Sequence, residues 1–199
     1  IAACGNYIEM DGKVIYENNL SADMVQKVIR VLSECKMPVV LEGSTDYWID
    51  DEGFEDDPYV DYLFESLGEH AHIIRGYDGE IRINKFSADV IDGTDYERVK
   101  AEFADDFLIL EHVENVVEFV PKGTSKATGI KWLCNHLDIP LDETYAIGDS
   151  VNDLEMLESV GHGIAMGNSM PPAKEIAEYV TSDISDDGVK NALKHYGLI

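Results

Sequence analysis

Gly148-Asp149-Ser150-Val151-Asn152-Asp153 is the stretch on which the reading of this chain turns. The apolar residues 145–147 before it predict a short strand, and 151–159 predict a helix that begins inside it. Carboxylates and an amide therefore gather at the carboxyl end of a strand, where open α/β sheets bind their ligands. Asp149 offers a hard oxygen ligand suited to magnesium. Asn152 can donate its amide to a phosphate oxygen beside the positive end of the helix. Asp153 is placed to orient a neighbouring lysine or a metal-bound water. An isolated Asp-Ser pair here would merely cap the helix. Two aspartates and an asparagine at this spacing favour a site.

Upstream, Lys122-Gly123-Thr124-Ser125-Lys126 puts Lys126 in the first turn of a helix expected over 126–137. The helix dipole disfavours a cation there. The placement makes sense when ammonium and helix N-terminus face one bound anion. The same helix carries Ile130, Leu133, Cys134 and Leu137 on one face. Downstream the pattern continues as strand 163–166, helix 171–178, strand 179–181 and helix 186–195. Helices alternating with short, wholly apolar strands signal a parallel sheet covered on both faces.

Before Pro121 the grammar differs. Asp11-Gly12 is a tight hairpin turn between strands at 7–10 and 13–16. Ser21 caps a helix with Met24, Val25, Val28, Ile29, Leu32 and Cys35 on one face, and Pro38 is expected to stop it. Strands are expected at 39–41, 47–49, 81–86, 107–110 and 116–120. Thr94 with Glu97 predicts a capping box for a helix through Phe103. Residues 50–61, with seven carboxylates, read as a solvated acidic loop, and 62–80 fit no single pattern. Paired strands grouped with helices make this an α+β unit. The predicted organisation is an α/β, Rossmann-like core in two parts, 1–19 and 121–199, around an inserted α+β cap domain at 20–120, with hinges near Leu20 and Pro121. Ile1-Ala2-Ala3-Cys4 reads as the tail of a strand already under way, so the core is expected to be incomplete at its N-terminus.

Composition excludes some partners. With 40 acidic against 15 basic side chains the net charge is −25. That balance repels nucleic acid and anionic membrane surfaces, so neither is expected to bind. A phosphorylated substrate would need local positive charge. Cys4, Cys35 and Cys134 are odd in number, far apart and set in apolar stretches, which fits reduced core thiols in a cytoplasmic protein. Weaker features are the His70-Ala71-His72 pair, without further ligands at metal spacing, and Gly161-His162-Gly163, which leads into a strand rather than out of one. Tyr47, Trp48, Phe54, Tyr59 and Tyr62 suit either a pocket or core packing.

Taken together, these residues resemble the haloacid dehalogenase superfamily, specifically its Cof-type (subclass IIB) phosphatases. The likeness runs from Pro121 through Lys126 to Gly148–Asp153, then Gly163-Ile164-Ala165-Met166-Gly167-Asn168 and Asp187-Gly188-Val189. It implies a hydrolase with a mobile cap over a Rossmann-like core. By that resemblance Lys126 and Asn152 hold phosphate, Asp149 binds Mg2+, and Lys126 and Asp153 belong to the catalytic machinery. It also implies an aspartyl-phosphate made by the first aspartate of an Asp-x-Asp pair. No two aspartates here stand two residues apart; Asp89 and Asp92 miss by one.

The expectation is a magnesium-dependent phosphatase of small phosphorylated metabolites, a sugar phosphate or phosphorylated cofactor, whose nucleophile lies outside this sequence. The 199 residues alone are expected to be inactive and prone to associate through open sheet edges. The alternatives are a non-catalytic phosphate-binding or interaction module, and a phosphomutase on the same fold.

Overall fold

The structure, a computed structural model, describes residues 1–50, 58–77, 79–112 and 115–199. Contacts divide the chain into two compact units. One comprises Ile1, Ala3–Ile8 and Gly123–Ile199; the other comprises Ala2 and Glu9–Lys122. The sequence reading put the first division after residue 19, whereas the contacts group Glu9 onward with the second unit.

The chain opens with a turn. Ala3, Cys4 and Gly5 have φ of 48°, 51° and 88°, so the expected strand ending at Cys4 is absent, and Ala2 forms only an isolated bridge. Close packing explains it. A Cβ on Gly5 would lie 2.1 Å from the Ser125 carbonyl oxygen, and one on Gly129 would lie 2.7 Å from the Gly5 Cα. Strands β1 (Tyr7–Met10) and β2 (Lys13–Glu17) then form the hairpin. Asp11 and Gly12 both take positive φ, which matches the right-handed twist of the paired strands.

In the second unit, helix α1 (Ala22–Glu34) starts at Ser21, whose hydroxyl accepts the Met24 N–H. It ends before Pro38 can act. Lys36 turns left-handed at φ 53°, donating its N–H to the Ser33 carbonyl, while Met37 donates to that of Leu32. That double bond is a Schellman motif, sealed by burial of Leu32 and Met37. Next come β3 (Val39–Glu42), β4 (Tyr47–Ile49), α2 (Pro58–Leu67), β5 (Ala71–Ile73), β6 (Lys85–Asp89), α3 (Tyr96–Phe103), β7 (Phe107–Glu111) and β8 (Val116–Pro121). They build a six-stranded sheet in the order β5-β4-β3-β6-β8-β7, antiparallel except between β4 and β5.

Alternation sorts the side chains of this sheet. Leu41, Phe86 and Phe119 join Val28, Leu32, Val99 and Phe103 of α1 and α3 in the larger core. Val40 and Ile49 pack instead with Val60 and Leu63 of α2.

Three local expectations are corrected. Residues 58–61, read as acidic loop, begin α2, while 51–57 lie outside the described residues. The strand expected at 81–86 runs over Lys85–Asp89. Asn84 donates its N–H to the Glu42 carbonyl at the last residue of β3, so 81–84 extend beyond that partner. Helix α3 is capped by Asp95, which accepts the Arg98 N–H, not by Thr94. The Thr94 hydroxyl accepts from the Ile91 N–H and donates to the Lys36 carbonyl.

The first unit continues with α4 (Lys126–Leu137), β9 (Tyr145–Gly148), α5 (Leu154–Ser159), β10 (His162–Ala165), α6 (Pro171–Ile176), β11 (Tyr179–Val180) and α7 (Gly188–His195). A parallel sheet in the order β11-β10-β9 carries Ala146 into a cluster with Leu157 and Ala173. Among the described residues β9 pairs with β10 alone. Helix α4 buries Ala127, Gly129 and Cys134, and Leu137, expected on that face, is 41% exposed. Small residues win there because Gly5 packs against the first turns. None of the three cysteines forms a disulfide, and Cys35 and Cys134 are buried. No helix of the described residues is long and apolar enough to cross a membrane.

Candidate active site

Strand β9 delivers the site. Its last residue, Gly148, gives its carbonyl to the Met166 N–H at 3.0 Å and to the buried Ser169 hydroxyl at 3.1 Å. Asp149 follows at the strand end, its carbonyl accepting the Met170 N–H at 2.9 Å and its side chain exposed. A short 3-10 turn over Val151–Asp153 then leads into α5.

Asp153 folds back under this turn and is buried. Its Oδ2 accepts the N–H groups of Asp149 at 2.9 Å and Ser150 at 3.2 Å. Its Oδ1 lies 2.5 Å from the Lys126 ammonium, which also donates to Asn152 Oδ1 at 3.3 Å. Burial alone would raise the Asp153 pKa. The Lys126 hydrogen bond and the two backbone N–H groups outweigh it and hold the carboxyl below its ordinary value. Asp153 is thus a fixed anion, and it aims a cation.

Lys126 reaches this position because Ser125 caps α4, its hydroxyl accepting the Thr128 N–H while Thr128 Oγ1 accepts that of Ser125. The ammonium and the helix N-terminus thereby sit at one end of α4, as an anion site requires. Asn152 turns its carbonyl oxygen to Lys126, so its NH2 end, a donor, is not engaged by the ammonium. The structure therefore brings Lys126, Asn152 and Asp153 into direct contact and puts Asp149 one backbone hydrogen bond away.

Two further loops meet at the same end of the sheet. Gly167 donates its N–H to the Ser182 carbonyl, and Asn168 Oδ1 accepts that of Ile184. Asp187 is left-handed at φ 57°, and a Cβ on Gly188 would lie 2.3 Å from the Ser182 carbonyl oxygen. The Gly167-Asn168 and Asp187-Gly188 pairs thus lock the loops after β10 and β11.

The donor set fits magnesium. One exposed carboxylate at a strand end, Asp149, is what Mg2+ takes together with water and phosphate oxygens. Among the described residues no group of three His, Cys, Asp or Glu side chains forms a complete metal cage.

The other candidates lie elsewhere. His70 and His72 both meet Asp46 Oδ1, at 3.4 and 2.8 Å. Gly161 and His162 precede and open β10, away from a phosphate loop. Trp48 is buried in the larger core of the second unit, Tyr47 packs beside α2, and Tyr62 is exposed. Phe54 and the Tyr59 side chain lie outside the described residues. Sequence reasoning missed Ser169, whose backbone contact carries no local signal, and gave Gly148 no role of its own.

Comparison with known proteins agrees with this geometry. The family model of haloacid dehalogenase-like hydrolases matches residues 1–193. YkrA of Bacillus subtilis (strain 168), whose name suggests a phosphatase, is 30% identical over 212 residues, covering 98% of this chain and 74% of YkrA. A crystal structure from Geobacillus kaustophilus HTA426 superposes with a TM-score of 0.80 at 26% identity, over 98% of this chain and 75% of that one. The subclass IIB sugar phosphatase BT4131 shares the fold at a TM-score of 0.73 and 22% identity, over 98% of this chain and 74% of its own. The chain belongs to the haloacid dehalogenase-like hydrolases, and its fold is that of their subclass IIB phosphatases.

Proposed function

We propose that the complete protein is a magnesium-dependent phosphatase that hydrolyses a small phosphorylated metabolite, a sugar phosphate or phosphorylated cofactor. The observation that carries this reading is the Lys126 ammonium, held at 2.5 Å by a buried carboxylate that also grips the Asp149 backbone. Lys126 and the Asn152 amide bind the phosphate oxygens, and Asp153 keeps the ammonium aimed. Asp149 holds magnesium, which when bound offsets charge on the transferring phosphoryl group. The Lys126 ammonium and the N-terminus of α4 supply the local positive charge that a chain of net charge −25 needs to admit an anion. This sequence carries no Asp-x-Asp pair, and the aspartyl-phosphate step falls to a carboxylate outside it. Three cysteines without a disulfide support a reducing, cytoplasmic setting.

Asp149→Asn in the complete protein tests the reading. Magnesium titration should show affinity falling at least about tenfold, with hydrolysis of a generic phosphate ester falling alongside. Unchanged magnesium affinity overturns the assignment. The lack of an Asp-x-Asp pair favours one second reading, a phosphate-binding module without catalysis. Tight phosphate binding with no ester hydrolysis by the complete protein would select it.

A further inference from the structure

Asp153 can fold back only because residue 148 has no side chain. A Cβ built on Gly148 would stand 2.7 Å from the Asp153 Cβ, 2.9 Å from its Cγ and 3.0 Å from its Oδ2. Its three nearest neighbours are thus all atoms of this one side chain, and none is backbone. Gly148 shows no left-handed φ, so its backbone is one an alanine can adopt. The glycine is therefore needed for space rather than for conformation.

We infer that Gly148 is a positioning residue: it leaves the slot in which Asp153 seats, and through Asp153 it orients both Lys126 and Asp149. The geometry runs in three steps. The slot lets Asp153 Oδ2 reach the N–H groups of Asp149 and Ser150. The same seating turns Oδ1 toward Lys126. The Gly148 and Asp149 carbonyls are meanwhile held from the other side by Ser169 and Met170. A methyl group in the slot pushes Asp153 out, frees the Asp149 amide and releases the lysine. The binding end of the loop then loses its fixed geometry, although no group that touches substrate has been altered.

This inference rests on the reading of Asp149 as the magnesium ligand, and the experiment separates the two. Magnesium affinity of the complete protein would be measured by calorimetry for wild type, Gly148→Ala, Asp153→Gly and the double variant. Circular dichroism melts on each variant accompany the titrations. Gly148→Ala alone should weaken magnesium binding roughly 10- to 100-fold, the range for partners that orient a metal ligand. In the Asp153→Gly background, where the clashing atoms are gone, the same change should matter less than about threefold. An equal loss in both backgrounds, or none in the wild-type background, overturns the inference. If Gly148→Ala fails to fold, recovery of a cooperative melt in the double variant supports the slot, and no recovery overturns it. Asp149→Asn is the separate arm. If it leaves magnesium affinity untouched, the metal reading itself falls.

Discussion

Lys126 Nζ and Asp153 Oδ1 stand 2.5 Å apart across 27 residues of sequence, one from the first turn of α4 and the other from the turn before α5. The pair is asymmetric in burial: the lysine side chain is 35% exposed and the aspartate 5%. Solvent reaches the cation and not the anion. Such a pair is suited to presenting charge outward rather than to cementing a core.

Replacing Lys126 by alanine should therefore act on chemistry more than on folding. Phosphate-ester hydrolysis by the complete protein should fall by roughly 10²–10³ in kcat/KM. Steady-state kinetics with p-nitrophenyl phosphate checks it. A variant within about threefold of wild type would remove Lys126 from the phosphate site.

Asp46 makes the second unit acid-sensitive. The Thr45 hydroxyl and the His72 ring, aided by His70 and opposed by burial, hold its carboxyl below the ordinary value. A depressed folded pKa stabilises the fold above the unfolded value, about 3.9, and that contribution fades as pH falls through the folded one. Asp46→Asn should accordingly lower stability near neutrality and differ less and less from wild type in acid. Urea unfolding at a series of pH values measures this, and a gap that widens below pH 4 would contradict it.

Lys85 sits between two glutamates, 2.5 Å from Glu42 Oε2 and 3.0 Å from Glu118 Oε1, with its side chain 13% exposed. Burial would lower its pKa, but the two carboxylates reverse the direction and raise it. Lys85→Met leaves both glutamates buried without their shared cation. The expected cost is about 3–5 kcal/mol in urea unfolding. Adding Glu42→Gln and Glu118→Gln should restore most of it, because neutral side chains bear the burial better.

The sequence made much of this architecture legible, and the reasons differ by element. Asp11-Gly12 announced its hairpin because the turn demands positive φ, which those residues tolerate. The alternation of apolar strands and helices after Pro121 announced the parallel sheet. Lys126, Asn152 and Asp153 were readable as a group because each lies at an element boundary, where periodicity breaks. The end of α1 was not readable. A lysine in the left-handed position gives no punctuation, so Pro38 drew the boundary too late. Thr94 and Asp95 are both competent caps, and only the demand of the Lys36 carbonyl on Thr94 decides between them. The slot beside Gly148 involves a contact formed by folding, which no local pattern encodes.

Lys36 itself offers a stabilising substitution. A non-glycine residue in the left-handed region costs roughly 1–2 kcal/mol, part of which glycine returns as greater freedom in the unfolded chain. Lys36→Gly should raise stability by about 0.5–1 kcal/mol, seen as a higher urea midpoint at unchanged slope. A lower midpoint would show that the lysine side chain makes a compensating contact.

The approach of Gly5 to Gly129 has a consequence for how such sequences can drift. A Cβ on Gly129 would lie 2.7 Å from the Gly5 Cα, and one on Gly5 would lie 2.1 Å from the Ser125 carbonyl oxygen at the cap of α4. Neither position can enlarge first, because the obstacle is backbone and cannot rotate aside as a side chain would. The two sites are under a joint constraint that acts in either order of substitution. Chains that keep this turn against this helix should retain small residues at both places.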